Sequence, residues 1–285
     1  MDLPMRPGLD TIPADEQKRY ESEDKEIIAV VGSGSRGAYL SNDYWVASAD
    51  VIGYAHAEKP EELHELKTRL VWAKAKDSKE KSPFEKETVY RVKVRFPLEK
   101  DGMTGDELIS RMGVYVTQII SCGESNAQTE ALLNEYKKEI FIDSPVLGKL
   151  VLDKGLESYM GNAKWNGSDI DILIDHDEDT EESIPMLEEF FRNSAENDAV
   201  LRKFAASELT GLANEWLADS EDGDEEEQKE ITEEEFARRI SPDGINFSSD
   251  GTYSFYFYDD DMFWGHSVTV YGSVTEGPDE ANIEG

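Results

Sequence analysis

Alternation of apolar and polar residues is the main pattern in the first half of the chain. Residues 90–96 (YRVKVRF) place an apolar side chain at every second position. This period is typical of a strand with one buried and one solvated face. Similar runs occur at 26–31, 44–56, 66–74 and 114–121. With few helical segments between them, these runs predict a small antiparallel β-sheet or barrel.

A helical pattern closes this first half. Asn126 is predicted to be the N-cap of a helix that carries Leu132, Leu133 and Tyr136. Pro145 follows that helix and prevents it from continuing, so a domain boundary is expected just before it.

The second half of the chain changes from strands to helices and back to strands. Short strands are predicted at 147–152, 159–165, 169–174, 252–258 and 263–271. Between the third and fourth strands, apolar residues at helical spacing predict two longer helices, and a third helix begins at Thr232, where Thr232 and Glu235 form a capping box. The order β-β-β-α-α-α-β-β predicts an α+β domain, an antiparallel sheet with helices on one face.

Charge divides the chain at the same place. The 63 acidic and 29 basic residues give a net charge of −34, of which −6 falls on residues 1–141 and −28 on residues 142–285. Residues 1–24 are polar and without periodicity, which is typical of a loose arm. We therefore predict a flexible N-terminal arm (1–24), a β-rich domain with a C-terminal helix (25–141) and an acidic α+β domain (142–285).

Composition argues against several classes of protein. A strongly negative charge repels phosphate backbones, so no nucleic-acid partner is expected. No run approaches the roughly 20 apolar residues of a membrane span, and the N-terminus lacks a secretory signal. The single cysteine, Cys122, allows neither an internal disulfide nor a multi-cysteine zinc site. The expectation is a cytoplasmic protein without a membrane anchor.

Three motifs that suggest a cofactor fail on inspection. Gly32, Gly34 and Gly37 have the spacing of a dinucleotide-binding loop, but no helical pattern follows, so a glycine-rich hairpin loop is expected. The acidic run from Asp175 begins like a calcium loop, yet it lacks the required glycine and final glutamate. The four histidines lie far apart in sequence, and none is at metal-ligand spacing from another. No cofactor is therefore predicted.

Several sequence segments are similar to a known family. In the second half they are 147–153 (LGKLVLD), 161–165 (GNAKW), 213–217 (ANEWL), 231–236 (ITEEEF), 260–267 (DDMFWGHS) and 281–285 (ANIEG). Through them the chain resembles the bacterial domain-of-unknown-function family numbered 2262. The first half, through 34–39, 49–54 and 88–94, resembles the β-rich domain that often precedes it. The resemblance implies bacterial origin and a two-domain architecture, but no activity and no catalytic residue.

One group of residues is the candidate functional cluster: Asp259, Asp260, Asp261, Trp264 and His266. A carboxylate turn beside an imidazole could bind a divalent ion or tune the histidine as a general base. The structural alternative is that the aspartates only form a turn and the histidine is a hydrogen-bonded core residue. The alternation of the following strand places Trp264 and His266 on the same, buried face as Val268.

Two hypotheses of function follow. The first is a non-enzymatic protein-binding module, for example an immunity-type inhibitor of a basic toxin, whose acidic domain engages a basic protein partner. Its interaction segment would be the acidic residues Asp222, Asp224, Glu225, Glu226 and Glu227, for which the structural alternative is a solvated loop and helix entry. The alternative is a metal-assisted hydrolase centred on Asp259, Asp261 and His266, although no complete set of nucleophile, base and oxyanion donors is recognisable.

Overall fold

A computed structural model describes residues 13–41, 44–79, 81–219 and 230–285. The chain divides into two compact units, with the division between Lys138 and Glu139. Within the described residues, no helix combines the length and the apolar character that crossing a membrane requires.

The N-terminal unit is a closed barrel of five strands. They are β1 (Lys25–Ser41), β2 (Tyr44–His56), β3 (Thr68–Ala75), β4 (Thr88–Arg95) and β5 (Val114–Cys122). Around the barrel the order is β1-β2-β3-β5-β4, and all neighbours are antiparallel except β3 and β5. Three helices accompany the strands, α1 (Ala14–Gln17), α2 (Gly105–Met112) and α3 (Ala127–Tyr136). The prediction of a small β-sheet or barrel is confirmed.

Side-chain alternation fills this barrel. In β4, Tyr90, Val92 and Val94 are buried, whereas the cationic residues between them are partly exposed. The buried residues belong to one apolar cluster with Trp72 and Phe84, whose rings lie 5.1 Å apart. The pattern read in the sequence therefore gives the correct inward face, because a strand buries every second side chain.

The glycine-rich motif is part of strand β1, and the predicted hairpin loop at these residues is wrong. Gly32 and Gly34 lie within a 17-residue strand. Its pairing with β2 shifts register between Val31 and Gly34 and again between Arg36 and Ala38. A Cβ added to Gly32 would lie 3.0 Å from the ring of Tyr136, and one added to Gly53 would lie 2.7 Å from Cδ2 of Leu132. These glycines therefore allow helix α3 to pack closely on β1 and β2.

Helix α3 begins as predicted. The side chain of Asn126 accepts hydrogen bonds from the backbone amides of Gln128 and Thr129 at 3.0 and 2.9 Å. The hydroxyl of Thr129 in turn accepts the backbone amide of Asn126 at 2.9 Å. This reciprocal pair satisfies amides that have no partner within the helix and fixes where it starts.

The C-terminal unit is an eight-stranded sheet with helices. The strands are β6 (Phe141–Ser144), β7 (Gly148–Asp153), β8 (Ser158–Trp165), β9 (Ser168–Asp175), β10 (Ser241–Phe247), β11 (Thr252–Tyr258), β12 (Ser267–Ser273) and β13 (Gly277–Glu284). The helices are α4 (Thr180–Arg192), α5 (Ser194–Asp219) and α6 (Glu233–Arg239). They join β9 to β10, which is the one parallel pair of an otherwise antiparallel sheet. The α+β class is confirmed.

Three of these strands give little signal in the sequence. Strand β6 has only four residues, β10 contains Pro242 and a register shift before Gly244, and β13 begins with Gly277 and Pro278. Such strands do not show the long alternation from which strands are recognised. The observed order therefore has four strands before the helices and four after them, where three and two were predicted.

The core of this unit surrounds Trp165. Its ring is fully buried and lies 4.8 Å from that of Phe255 and 5.1 Å from that of Phe191 on helix α4. The indole N–H donates to the buried carboxylate of Asp198 at 3.0 Å, and Arg202 donates to the same carboxylate at 2.7 Å. The polar atom of the largest core residue is thus satisfied by helix α5.

Candidate functional site

The five candidate residues all lie in the connection between β11 and β12. We call residues 259–266 the Trp264 turn. The strand predicted at 263–271 is wrong at its beginning, because β12 starts only at Ser267 and the preceding residues form turns.

Asp259 organises the Trp264 turn from inside. Its side chain is only 5% exposed. Oδ2 accepts hydrogen bonds from the backbone amides of Phe263 at 2.7 Å and Gly265 at 3.2 Å, and Oδ1 accepts that of Asp261 at 3.2 Å. Both carboxylate oxygens are therefore engaged by the backbone of the turn.

Asp260 connects the turn to helix α6. Arg239 donates from Nε to Oδ2 of Asp260 and from Nη2 to its carbonyl oxygen, both at 2.7 Å. The backbone φ angles of Asp260, Asp261 and Trp264 are 52°, 58° and 56°. Positive φ is uncommon outside glycine and costs of order 1–3 kcal/mol for each residue, so the turn is strained and the surrounding contacts hold it.

Trp264 is exposed, and the prediction that it is buried is wrong. Its side chain is 63% exposed, whereas Met262 and Phe263 are buried. Trp264 and Gly265 have positive φ angles of 56° and 88°, so the alternation of strand β12 does not extend back to Trp264. Counting alternate positions back from Val268 therefore places Trp264 on the wrong face. One face of its ring contacts Trp216 of helix α5, with the centroids 4.7 Å apart.

His266 is half-buried beside the same tryptophan of helix α5. Its ring meets that of Trp216 edge-on, with a centroid distance of 5.6 Å. On another side it is approached by Gly285, where an added Cβ would lie 2.8 Å from Nδ1. The prediction of a largely buried histidine beside Trp264 is therefore met only in part.

The metal site that the hydrolase alternative would need is not assembled in the described residues. Over the described ranges, no three His, Cys, Asp or Glu side chains are placed together as metal ligands. Asp259 is central to the hydrolase hypothesis, but both of its carboxylate oxygens accept hydrogen bonds from backbone amides. In the Trp264 turn, the Asp259 carboxylate therefore has a structural role.

Tyr258 extends the exposed surface of the turn. It is the last residue of β11, and its side chain is 60% exposed. A hydrogen bond with Asp243 and the negative charge of that carboxylate raise the pKa of the Tyr258 hydroxyl. Sequence analysis missed this residue, although an aromatic side chain at a solvent-facing position of an alternating strand is a usable signal.

The acidic segment that contains Asp222, Asp224, Glu225, Glu226 and Glu227 lies outside the described residues. Helix α5 ends at Asp219, just before it, and Trp216 in the last turn of that helix is the residue that contacts Trp264. The segment therefore follows directly in sequence from an element that packs on the Trp264 turn.

The aspartates that begin like a calcium loop have local structural roles. Asp177 accepts the backbone amide of Asp179 at 2.9 Å and the hydroxyl of Ser249 at 2.5 Å. The bond from Ser249 is the main cause that lowers the pKa of Asp177. These contacts shape the start of helix α4 and tie it to the turn before β11.

Comparisons with family models assign both units. Residues 144–283 match a family described as "Uncharacterized protein conserved in bacteria (DUF2262)". Residues 14–136 match a separate "Domain of unknown function (DUF7021)". The resemblance drawn from the sequence segments is thereby confirmed. No curated protein and no solved structure matches the chain.

Proposed function

We propose that this protein, in which a DUF2262 domain follows a DUF7021 domain, is a non-enzymatic binding module of the bacterial cytoplasm that engages a basic protein partner through its Trp264 turn. The observation that carries the proposal is the exposed indole of Trp264, held in a strained turn by Asp259 and Arg239.

An exposed, rigidly held tryptophan suits a binding anchor. Tryptophan is enriched among the few residues that supply most of the binding energy at protein interfaces. Because Asp259 and Arg239 already fix the turn, little conformational entropy remains to be lost when a partner covers Trp264. Strain that persists in a well-packed structure is also more frequent at functional sites than elsewhere.

The charges around this anchor select a basic partner. Asp260 and Asp261 are exposed beside Trp264, and Asp243 lies beside the exposed Tyr258. Lysine and arginine side chains bind carboxylates and also stack on the faces of tryptophan and tyrosine. The negative charge of the C-terminal half would attract such a partner from a distance and orient it.

An immunity-type protein is one concrete form of this function. Such a protein inhibits a toxin by covering the surface with which the toxin acts. A toxin that acts on nucleic acid needs a basic surface, and an acidic protein with an aromatic anchor is complementary to it.

The test begins with identification of the partner. The full chain is used to capture proteins from its native host, and the candidate found by mass spectrometry is purified. Isothermal titration then compares the wild type with Trp264→Ala and with Leu156→Ala, a control whose side chain is 62% exposed in the same unit. We expect Trp264→Ala to weaken binding by about thirtyfold, the value typical of an anchor residue, and Leu156→Ala to have little effect. Equal effects of the two variants would contradict the proposal.

The acidic segment has a separate test. Neutralising Asp222, Asp224, Glu225, Glu226 and Glu227 together should lower the association rate with the same partner and reduce its dependence on salt. Dissociation should change less, because steering acts mainly before contact. If neither salt nor neutralisation changes the association rate measured by stopped flow, the acidic segment does not contribute to binding and the solvated-loop interpretation holds.

A further inference from the structure

A cleft in the N-terminal barrel brings together three arginine side chains. It has a volume of about 390 Å³, and Arg19, Arg69 and Arg111 are among its lining residues. They come from the segment before β1, from strand β3 and from the end of helix α2. A neighbouring cleft shares Arg19 and Arg111 and is also lined by Lys100, Asp101 and Glu107. In a chain with 63 acidic and only 29 basic residues, such a concentration of positive charge is unexpected.

Among the described residues, the side chains of Arg69 and Arg111 contact a backbone carbonyl and a sulfur atom, not a carboxylate. Arg69 donates from Nη2 to the carbonyl oxygen of Arg111, and Arg111 contacts the sulfur of Met103. Neither forms a salt bridge within the described part of the chain. The bond to the carbonyl oxygen ties the side chain of Arg69 to the end of α2, where Arg111 lies. Their positive charges are therefore positioned but not neutralised.

Arg19 is oriented by a buried carboxylate. Glu16 is only 4% exposed, and both its oxygens accept hydrogen bonds from Nη1 of Arg19 at 3.1 Å. The hydroxyl of Tyr39, another lining residue, lies 3.5 Å from the same carboxylate. Counting only the lining residues and Glu16, which pairs with Arg19, the cleft has a net charge of about +2.

The rest of the lining is mostly apolar. Val46, Val71 and Met112 form this part, together with the buried ring of Tyr20. A volume of this size lies within the range of small-molecule sites, which combine an apolar wall with a few convergent polar groups. An inorganic ion alone would make no contact with this apolar part of the lining.

We propose that this cleft binds a small organic phosphate, with its phosphate group at Arg69 and Arg111 and its apolar part against Val71 and Met112. The planar guanidinium fork matches the oxygens of a phosphate, and a dianion balances the net charge of the cleft. The site is independent of the function proposed for the Trp264 turn and would give the N-terminal domain a ligand of its own.

The test uses the full-length protein and phenyl phosphate as the probe. Isothermal titration is carried out with phenyl phosphate, inorganic phosphate and phenol on the wild type, on Arg69→Ala and Arg111→Ala, and on Arg95→Ala. Arg95 is the control, since it pairs with Asp24 and does not line the cleft. Thermal melts verify that each variant is folded. If Arg69→Ala does not fold, Arg111→Ala alone tests the cleft, because Arg111 is exposed and its replacement should not disturb the core.

We expect phenyl phosphate to bind the wild type and Arg95→Ala equally. Either cleft variant should weaken this binding by about tenfold or more, because charge-assisted hydrogen bonds are lost. Inorganic phosphate should bind more weakly than phenyl phosphate, and phenol should not bind. Absence of binding, equal affinity for inorganic phosphate, or binding that survives both cleft substitutions would overturn the proposal.

Discussion

At the scale of single residues, Asp259 determines the shape of the Trp264 turn. One buried carboxylate accepts three backbone amides, and this allows Trp264 to remain exposed at an unfavourable φ angle. The carboxylate of Asp259 therefore holds the turn together, whereas Asp260 is exposed but paired with Arg239, and Asp261 is exposed at the surface.

Replacing Asp259 tests this role. Asp259→Ala should lower the free energy of unfolding by about 2–3 kcal/mol, because it leaves buried amides without an acceptor. Asp261→Asn is the matched control and should change it by less than about 0.5 kcal/mol, since the side chain is exposed and asparagine tolerates positive φ. Urea unfolding followed by tryptophan fluorescence measures both. Equal stabilities would mean that the turn does not depend on the carboxylate.

We expect His56 to make the stability of the N-terminal unit depend on pH. Burial, together with the nearby His64 and Lys25, lowers the pKa of His56. The unfolded chain then binds more protons than the folded chain just below the ordinary histidine pKa, so stability should rise from about pH 5.5 to about pH 7.5. In thermal melts over this pH range, the melting temperature of His56→Gln should rise less than that of the wild type. The exposed His176→Gln provides the comparison, and an unchanged slope in His56→Gln would refute the assignment.

Two groupings of side chains form only in the folded chain. His56 and His64 lie on β2 and the loop after it, and their rings are 6.3 Å apart only because that loop folds back on Tyr54. The arginines of the barrel cleft are likewise brought together by the closure of the barrel. A spacing rule detects neither group, since the relevant distances are set by tertiary structure.

At the scale of elements, the packing of α3 on the barrel depends on Gly32 and Gly53. Gly53→Ala should lower the stability of the N-terminal unit by about 1–3 kcal/mol, because its Cβ would overlap Leu132 and the carbonyl of His64. Gly211→Ala should do the opposite in helix α5. Nothing lies within 4 Å of its added Cβ, and alanine stabilises a helix interior by about 1 kcal/mol. Denaturant unfolding measures the change in the free energy of unfolding for both variants. Destabilisation of the same size in both would contradict this account.

Elements with strong local signals were predicted correctly. Strand β4 alternates regularly, and helices α3 and α6 carry their capping residues in sequence. Strands β6, β10 and β13 were missed because shortness, Pro242 and Pro278 remove that alternation, and neighbouring strands supply the pairing instead. The Trp264 turn was located by its aspartates, but the exposure of Trp264 depends on φ angles that no residue pattern reveals.

At the scale of the whole molecule, each unit has its own apolar core. The cluster around Trp165 contains only residues of the C-terminal unit, and the cluster around Trp72 only residues of the N-terminal unit. Cores of this kind allow domains to fold independently.

Expression of residues 139–285 alone tests this independence. We expect a single cooperative thermal transition, with the fluorescence of a buried tryptophan lost at the midpoint, because the sheet and its three helices enclose the whole cluster. The fragment 1–138 provides the companion measurement. A fragment 139–285 that melts without cooperativity would show that the two units stabilise each other.

The parallel pairing of β9 with β10 has a consequence for synthesis of the chain. Strand β9 ends at Asp175, whereas its partner begins only at Ser241, so during translation β9 presents an unpaired edge until all three helices have been made. A second nascent copy could pair with that edge. Asp169, Asp171 and Asp175 alternate along β9 and face solvent, and like charges brought opposite each other oppose such pairing. We therefore expect part of the acidity of this protein to limit self-association during its synthesis.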